Sequence, residues 1–153
     1  MIIKNKIIIL IFILFVNCGY QPLLTTDKIG DIYIKNIDFE GDNELNNFLK
    51  INLKKYSKEK NVKKIQVYVK TEYSKNEIIK DATGSVAKFE IKAKVIFLVI
   101  DQNSKKDKII ITENFTMNRL DDLNSETKYE RIIKQNFASS ISNKLIIELL
   151  KIK

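Results

Sequence analysis

One stretch constrains the fold of this chain more than any other. In Ala87–Ile100 the residues Ala87, Phe89, Ile91, Ala93, Val95, Phe97 and Val99 stand at every second position. That is the period of a β-strand and not of a helix stripe. The intervening positions carry Lys88, Glu90, Lys92 and Lys94, and then Ile96, Leu98 and Ile100 take over the same side. The strand is therefore expected to begin half-exposed and to end apolar on both faces. A domain built around it must cover one face of the sheet along the whole strand and still deal with apolar side chains at one end of the other face.

The rest of the chain supplies the cover. Residues 31–40 alternate through Ile32 and Ile34, slip at Asn36, and resume at Ile37 and Phe39, a first strand with a bulge at the slip. Gly41-Asp42 breaks it and offers a helix N-cap, after which Leu45, Phe48, Leu49, Leu53 and Tyr56 recur at helical spacing. A second strand follows at Ile65, Val67 and Val69, then a mostly polar connection from Tyr73 to Ser85. After the long third strand comes the polar turn Asp101 to Asp107. A fourth strand follows, with Ile109, Ile111, Phe115 and Met117 on one side, interrupted by Glu113. Asp121, Asp122, Asn124 and Ser125 then supply helix-start chemistry. A last helix is predicted from about Glu126 to about Leu150, its stripe running through Tyr129, Ile132, Ile133, Phe137, Ile141, Leu145, Leu149 and Ile152. The order β-α-β-β-β-α predicts an α+β two-layer sandwich. Its four-stranded mixed sheet has a parallel first pair and an antiparallel meander, and two helices cover one face.

The N-terminal residues call for a different reading. Lys4 and Lys6 precede ten unbroken apolar residues, Ile7 to Val16, and then Asn17-Cys18-Gly19. Ten residues suit the core of a signal peptide but fall short of the roughly twenty a membrane-spanning helix needs. A core helix at a domain surface would show a polar face, and this run has none. A lone Cys directly after such a run resembles a lipobox, with Phe15 and Asn17 departing from its usual residues. The expected division is a lipoprotein signal peptide over 1–17, a lipidated tether over 18–30 and a single α+β domain over 31–153.

Composition removes whole classes of chemistry. The chain has no His and one Cys, so Ser-His-Asp triads, thiol–imidazole pairs, nearly all zinc sites and any disulfide within the chain are excluded. No cofactor or metal is expected. Asp121, Asp122 and Glu126 cluster before a helix, where carboxylates serve as caps and dipole partners. The formal charge is +8, and losing Lys4 and Lys6 with the leader leaves +6. That balance suits an anionic partner, but the dominance of Lys, Ile and Asn throughout is also what a gene made mostly of A and T would give, and no long basic run stands out.

Three stretches carry a resemblance that covers nearly the whole chain: CGYQPL at Cys18 to Leu23, DATGSVAKFEIKAKVIFLVID at Asp81 to Asp101, and ENFTMNR at Glu113 to Arg119 with the QNFASSISNKL centre of the last helix. Together they resemble the LPS-assembly lipoprotein family LptE, particularly its short, divergent members. The resemblance implies a non-enzymatic outer-membrane lipoprotein on the periplasmic side. It would plug and help assemble a large LptD-like barrel that inserts lipopolysaccharide into the outer leaflet, and bind lipopolysaccharide itself. The alternative is a lipoprotein component of a phospholipid or small-molecule transport system. Lys75, Lys80, Lys88, Lys92 and Lys94 are the best-grouped candidates for phosphate contacts, against the plainer reading of a solvated charged face. Ile96, Leu98, Ile100 and Ile110 are the candidate partner-binding residues, with a covering loop or the tether as the competing explanation.

Overall fold

A computed structural model describes residues 32–57 and 63–151. The expected signal peptide over 1–17, Cys18, the expected tether over 18–30 and Ile152 lie outside the described residues. The elements are β1 (Ile32–Gly41), α1 (Asn43–Leu53) with a 3-10 turn at Lys54–Tyr56, β2 (Lys63–Lys80), β3 (Val86–Ile100), β4 (Lys106–Asn118) and α2 (Leu123–Lys151). They form a single sheet in the order β1-β2-β3-β4, with β1 parallel to β2 and the other pairs antiparallel. Both helices lie on one face, as the sequence predicts.

Local chemistry explains the joints. The register of β1 on β2 shifts between Ile34 and Asn36, so Lys35 is the bulged residue and the apolar phase changes parity there. Gly41 has φ +108°, and a Cβ at that position would stand 1.9 Å from the Thr71 carbonyl oxygen; only glycine lets β1 end against β2. Asp42 then caps α1, its Oδ1 accepting from the Leu45 N–H at 2.7 Å. The two hairpin turns share one device. Asp81 Oδ1 accepts from the N–H groups of Thr83 and Ser85, and Asp101 Oδ1 from those of Asn103 and Lys105, at 2.8–3.0 Å.

The core lies between sheet and helices. Leu45, Leu49 and Leu53 of α1, Ile141, Leu145 and Ile146 of α2, and Ile91, Ala93, Val95 and Phe97 of β3 are all fully buried. Burial of Ile146 explains why apolar character spreads around the end of α2. Two sequence expectations need correction. Tyr73 to Lys80 is not a connection but the upper half of β2; it is polar because it leaves β1 behind at Thr71 and meets α2 through charged groups. At the other end of the stripe, Tyr129 and Ile132 of α2 are 37% and 49% exposed, since the inward side of the helix there runs through Glu126, Ile133, Lys134 and Phe137 and leaves them at its edge.

Candidate interaction face

The face of the sheet away from the helices carries the residues singled out by the sequence. Cross-strand pairing sets them in rows. One row runs Glu40, Lys70, Ile96, Ile110, and the next runs Asp38, Tyr68, Leu98, Lys108. Ile100 follows, between Gln66 and Lys106. Their sequence neighbours Val95, Phe97 and Val99 are buried under the helices, so alternation sends Ile96, Leu98 and Ile100 outward. Ile110 is 53% and Tyr68 45% exposed. A shallow depression of about 230 Å³ opens here between Tyr68, Ile96 and Leu98, bordered by Asp38, Glu40 and Lys70. Glu40 and Lys70 are 3.6 Å apart and both well exposed, a pair that adds little stability. The patch is therefore apolar at its centre and charged along the β1 side.

Farther up the same face the rows become polar: Glu72, Lys94, Thr112; Ser74, Lys92, Asn114; then Lys88 opposite Asn118. Lys88, Lys92 and Lys94 thus share one column with Glu90, which stands between Lys88 and Lys92, and Lys94 lies 3.3 Å from Glu72. Lys80 ends β2 near the hairpin turn. Lys75 does not belong with them. It lies on the covered face, where its ammonium meets Glu126 at 2.8 Å and Glu130 at 3.0 Å and sits 4.5 Å over the Phe89 ring.

That contact is the centre of an ionic cluster between β2 and the first half of α2. The Tyr73 hydroxyl donates to Glu130 at 2.7 Å. Lys134, itself buried, lies 3.1 Å from Glu44 and 3.5 Å from Asp42 and covers the Tyr73 ring at 4.2 Å. Burial, reinforced by the bond to Glu130, raises the Tyr73 phenol far above its ordinary range. The Lys75 ammonium holds the Glu126 carboxyl below its usual value against the opposing effect of burial, and the Leu120 N–H assists. Burial by itself would lower Lys75, but the two carboxylates outweigh it and raise the pKa. Asp122 is the cap of α2, accepting from the Ser125 N–H at 2.8 Å. Glu126 is more than a capping residue, which the sequence reading missed. The signal was available: Glu126, Glu130 and Lys134 continue the Phe137–Ile141–Leu145 stripe toward the helix start at the same spacing. Among the described residues no group of His, Cys, Asp or Glu could hold a metal, and no helix is long and apolar enough to cross a membrane.

No family model and no curated protein matches the chain. Solved structures do. Rare lipoprotein B from Shewanella oneidensis superposes with a TM-score of 0.54 at 11% identity, over 76% of this chain and 93% of that one. A minor lipoprotein from Acinetobacter baumannii gives 0.54 at 14%, over 77% and 94%. Lipoprotein B from Nitrosomonas europaea gives 0.52 at 14%, over 79% and 85%. At such identities the likeness is one of fold, and the fold of this chain is the one these lipoproteins have.

Proposed function

We propose that the chain matures to a lipoprotein anchored through Cys18 at the periplasmic face of the outer membrane. There it plugs and helps assemble a large LptD-like barrel that inserts lipopolysaccharide. The observation that carries the reading is the Tyr68–Ile96–Leu98–Ile110 patch, a partly exposed apolar surface on the sheet face that neither α1 nor α2 covers. Soluble monomers rarely keep such a surface without a use. The inner wall of a barrel is one partner that would cover it. The lipoprotein folds it resembles and the position of Cys18 after an apolar run support the anchor. The column Lys88, Lys92, Lys94 would meet lipopolysaccharide phosphates beside that patch, and the role is one of binding rather than catalysis.

Mass spectrometry of the native protein tests the anchor. The expected N-terminus is Cys18 carrying lipid, and an intact Met1 or an unmodified Cys18 contradicts it. Co-purification tests the partner: a large barrel protein supports the reading, and an inner-membrane permease favours the transport alternative. Lys88→Gln, Lys92→Gln and Lys94→Gln together should weaken lipopolysaccharide binding and its dependence on salt without unfolding the domain. Unchanged binding would move that site elsewhere.

A further inference from the structure

The topology gathers lysines at one pole of the domain. β1 and β2 start there, β3 turns into β4 there, and both helices end there. Lys35 of the β1 bulge, Lys54 and Lys55 of the turn after α1, Lys64 at the start of β2, and Lys105 and Lys106 at the β3–β4 turn are all exposed at this end. Among the described residues the carboxylates at this end are Asp101, Asp107 and Glu148, fewer than the lysines. Asp101 is bonded to the backbone of its own turn, Asp107 lies 3.7 Å from Lys105, and Glu148 is bonded to Lys151. Lysines at helix C-termini would be explained by the helix dipole, which covers Lys54, Lys55 and Lys151. It does not cover Lys35, Lys64, Lys105 or Lys106, which lie on strands and a hairpin turn. At the opposite pole the loops carry Asp81, Asp121 and Asp122 beside Lys80 and Arg119, so among the described residues no comparable excess exists there.

The basic pole is also where the described chain begins, at Ile32. Cys18 is fourteen residues earlier, a reach of at most about 50 Å for extended chain. We propose that this pole rests on the anionic headgroups of the membrane that holds the lipid on Cys18. The protein would thus be oriented with its helices and strands upright and its open sheet face turned sideways toward a partner. This rests on the lipid-anchor reading, and it assigns a second, electrostatic membrane contact to residues outside the interaction face.

The test is partition of the mature protein, purified from its membrane, onto vesicles of phosphatidylcholine alone or with phosphatidylglycerol added. Each lysine near an anionic surface strengthens binding by about 1 kcal/mol, roughly fivefold, so the anionic vesicles should be preferred by more than about tenfold at low salt and by much less at high salt. Changing Lys54, Lys55, Lys105 and Lys106 to Gln should remove most of that preference. Arg119→Gln combined with Lys128→Gln, both exposed at the opposite pole, should keep it. Equal partition of the natural protein onto both vesicles overturns the proposal, and so does a preference that survives the four pole substitutions. Retention on neutral vesicles reports the anchor separately. If it is absent while the anionic preference persists, the anchor reading fails and the basic pole stands.

Discussion

The lower and upper halves of the helix–sheet interface are held by different physics. Below, Phe97, Val95, Leu49, Ile141 and Leu145 are packed without access to water. Above, α2 meets β2 through Lys75, Glu126, Glu130, Tyr73 and Lys134. Apolar burial is non-directional and stabilises by area, about 1.5–3 kcal/mol for each large side chain. Ion pairs contribute less net free energy, because desolvation offsets attraction, but they demand a definite geometry. The lower half therefore holds the domain together, whereas the upper half fixes where the long hairpin and the start of α2 stand relative to one another. The upper half of β2 needs such a device, for beyond Thr71 it has no β1 beside it.

The largest way to break this contrast lies in the lower half. Phe97→Ala should cost about 3–5 kcal/mol and lower the midpoint of the whole unfolding transition, read by denaturant titration. A loss confined to one end would show that the two halves are not one cooperative unit.

An intermediate effect is expected above. Glu126→Ala leaves Lys75 with one carboxylate and should cost about 1–3 kcal/mol, with faster amide exchange confined to the first turns of α2 and the upper strands. Acid should act the same way. The Glu126 carboxyl sits lower when folded than its ordinary 4.5. Its contribution is therefore complete above that value and is lost as pH falls through the folded value. Tyr73 works from the other side: its raised phenol contributes below about pH 10 and loses that contribution as pH rises further. Hydrogen exchange against pH should show the upper half loosening first at both extremes. Uniform loosening would contradict the division.

The smallest effect sharpens the comparison. Ser142 faces the lower core with its hydroxyl buried and, among the described residues, no hydrogen-bond partner. Ser142→Ala should be neutral or stabilising by up to about 1 kcal/mol. A clear loss of stability in thermal unfolding would mean that the hydroxyl has a partner, and that the lower half is not purely apolar.

The same division explains what could be read from the sequence. Everything held by apolar alternation was legible: the Lys35 bulge through its slip in phase, the α1 stripe, β3 with its change of character at Ile96, and the arrangement of two helices on one face. What was obscured is the region where polar residues face inward. Tyr73 to Lys80 looks like a connection because the side facing α2 carries Tyr73 and Lys75 instead of valines. Lys75 was grouped with surface lysines for the same reason, since pairing with residues more than fifty positions away leaves no local trace. The open-face patch was legible because Ile96, Leu98 and Ile100 break the polar alternation in one strand, while the addition of Tyr68 needed the cross-strand register. The basic pole was hidden in the sequence, for its lysines are scattered along the chain and only the topology brings them together.

The open end of the sheet is proposed above as a docking surface and not a piece of exposed core. Ile96→Asp combined with Leu98→Asp tests it most directly, by circular dichroism and co-purification on the same preparation. A folded, lipidated protein that no longer brings down the proposed barrel partner is the expected result; an unfolded variant, or one that still retains that partner, overturns the proposal.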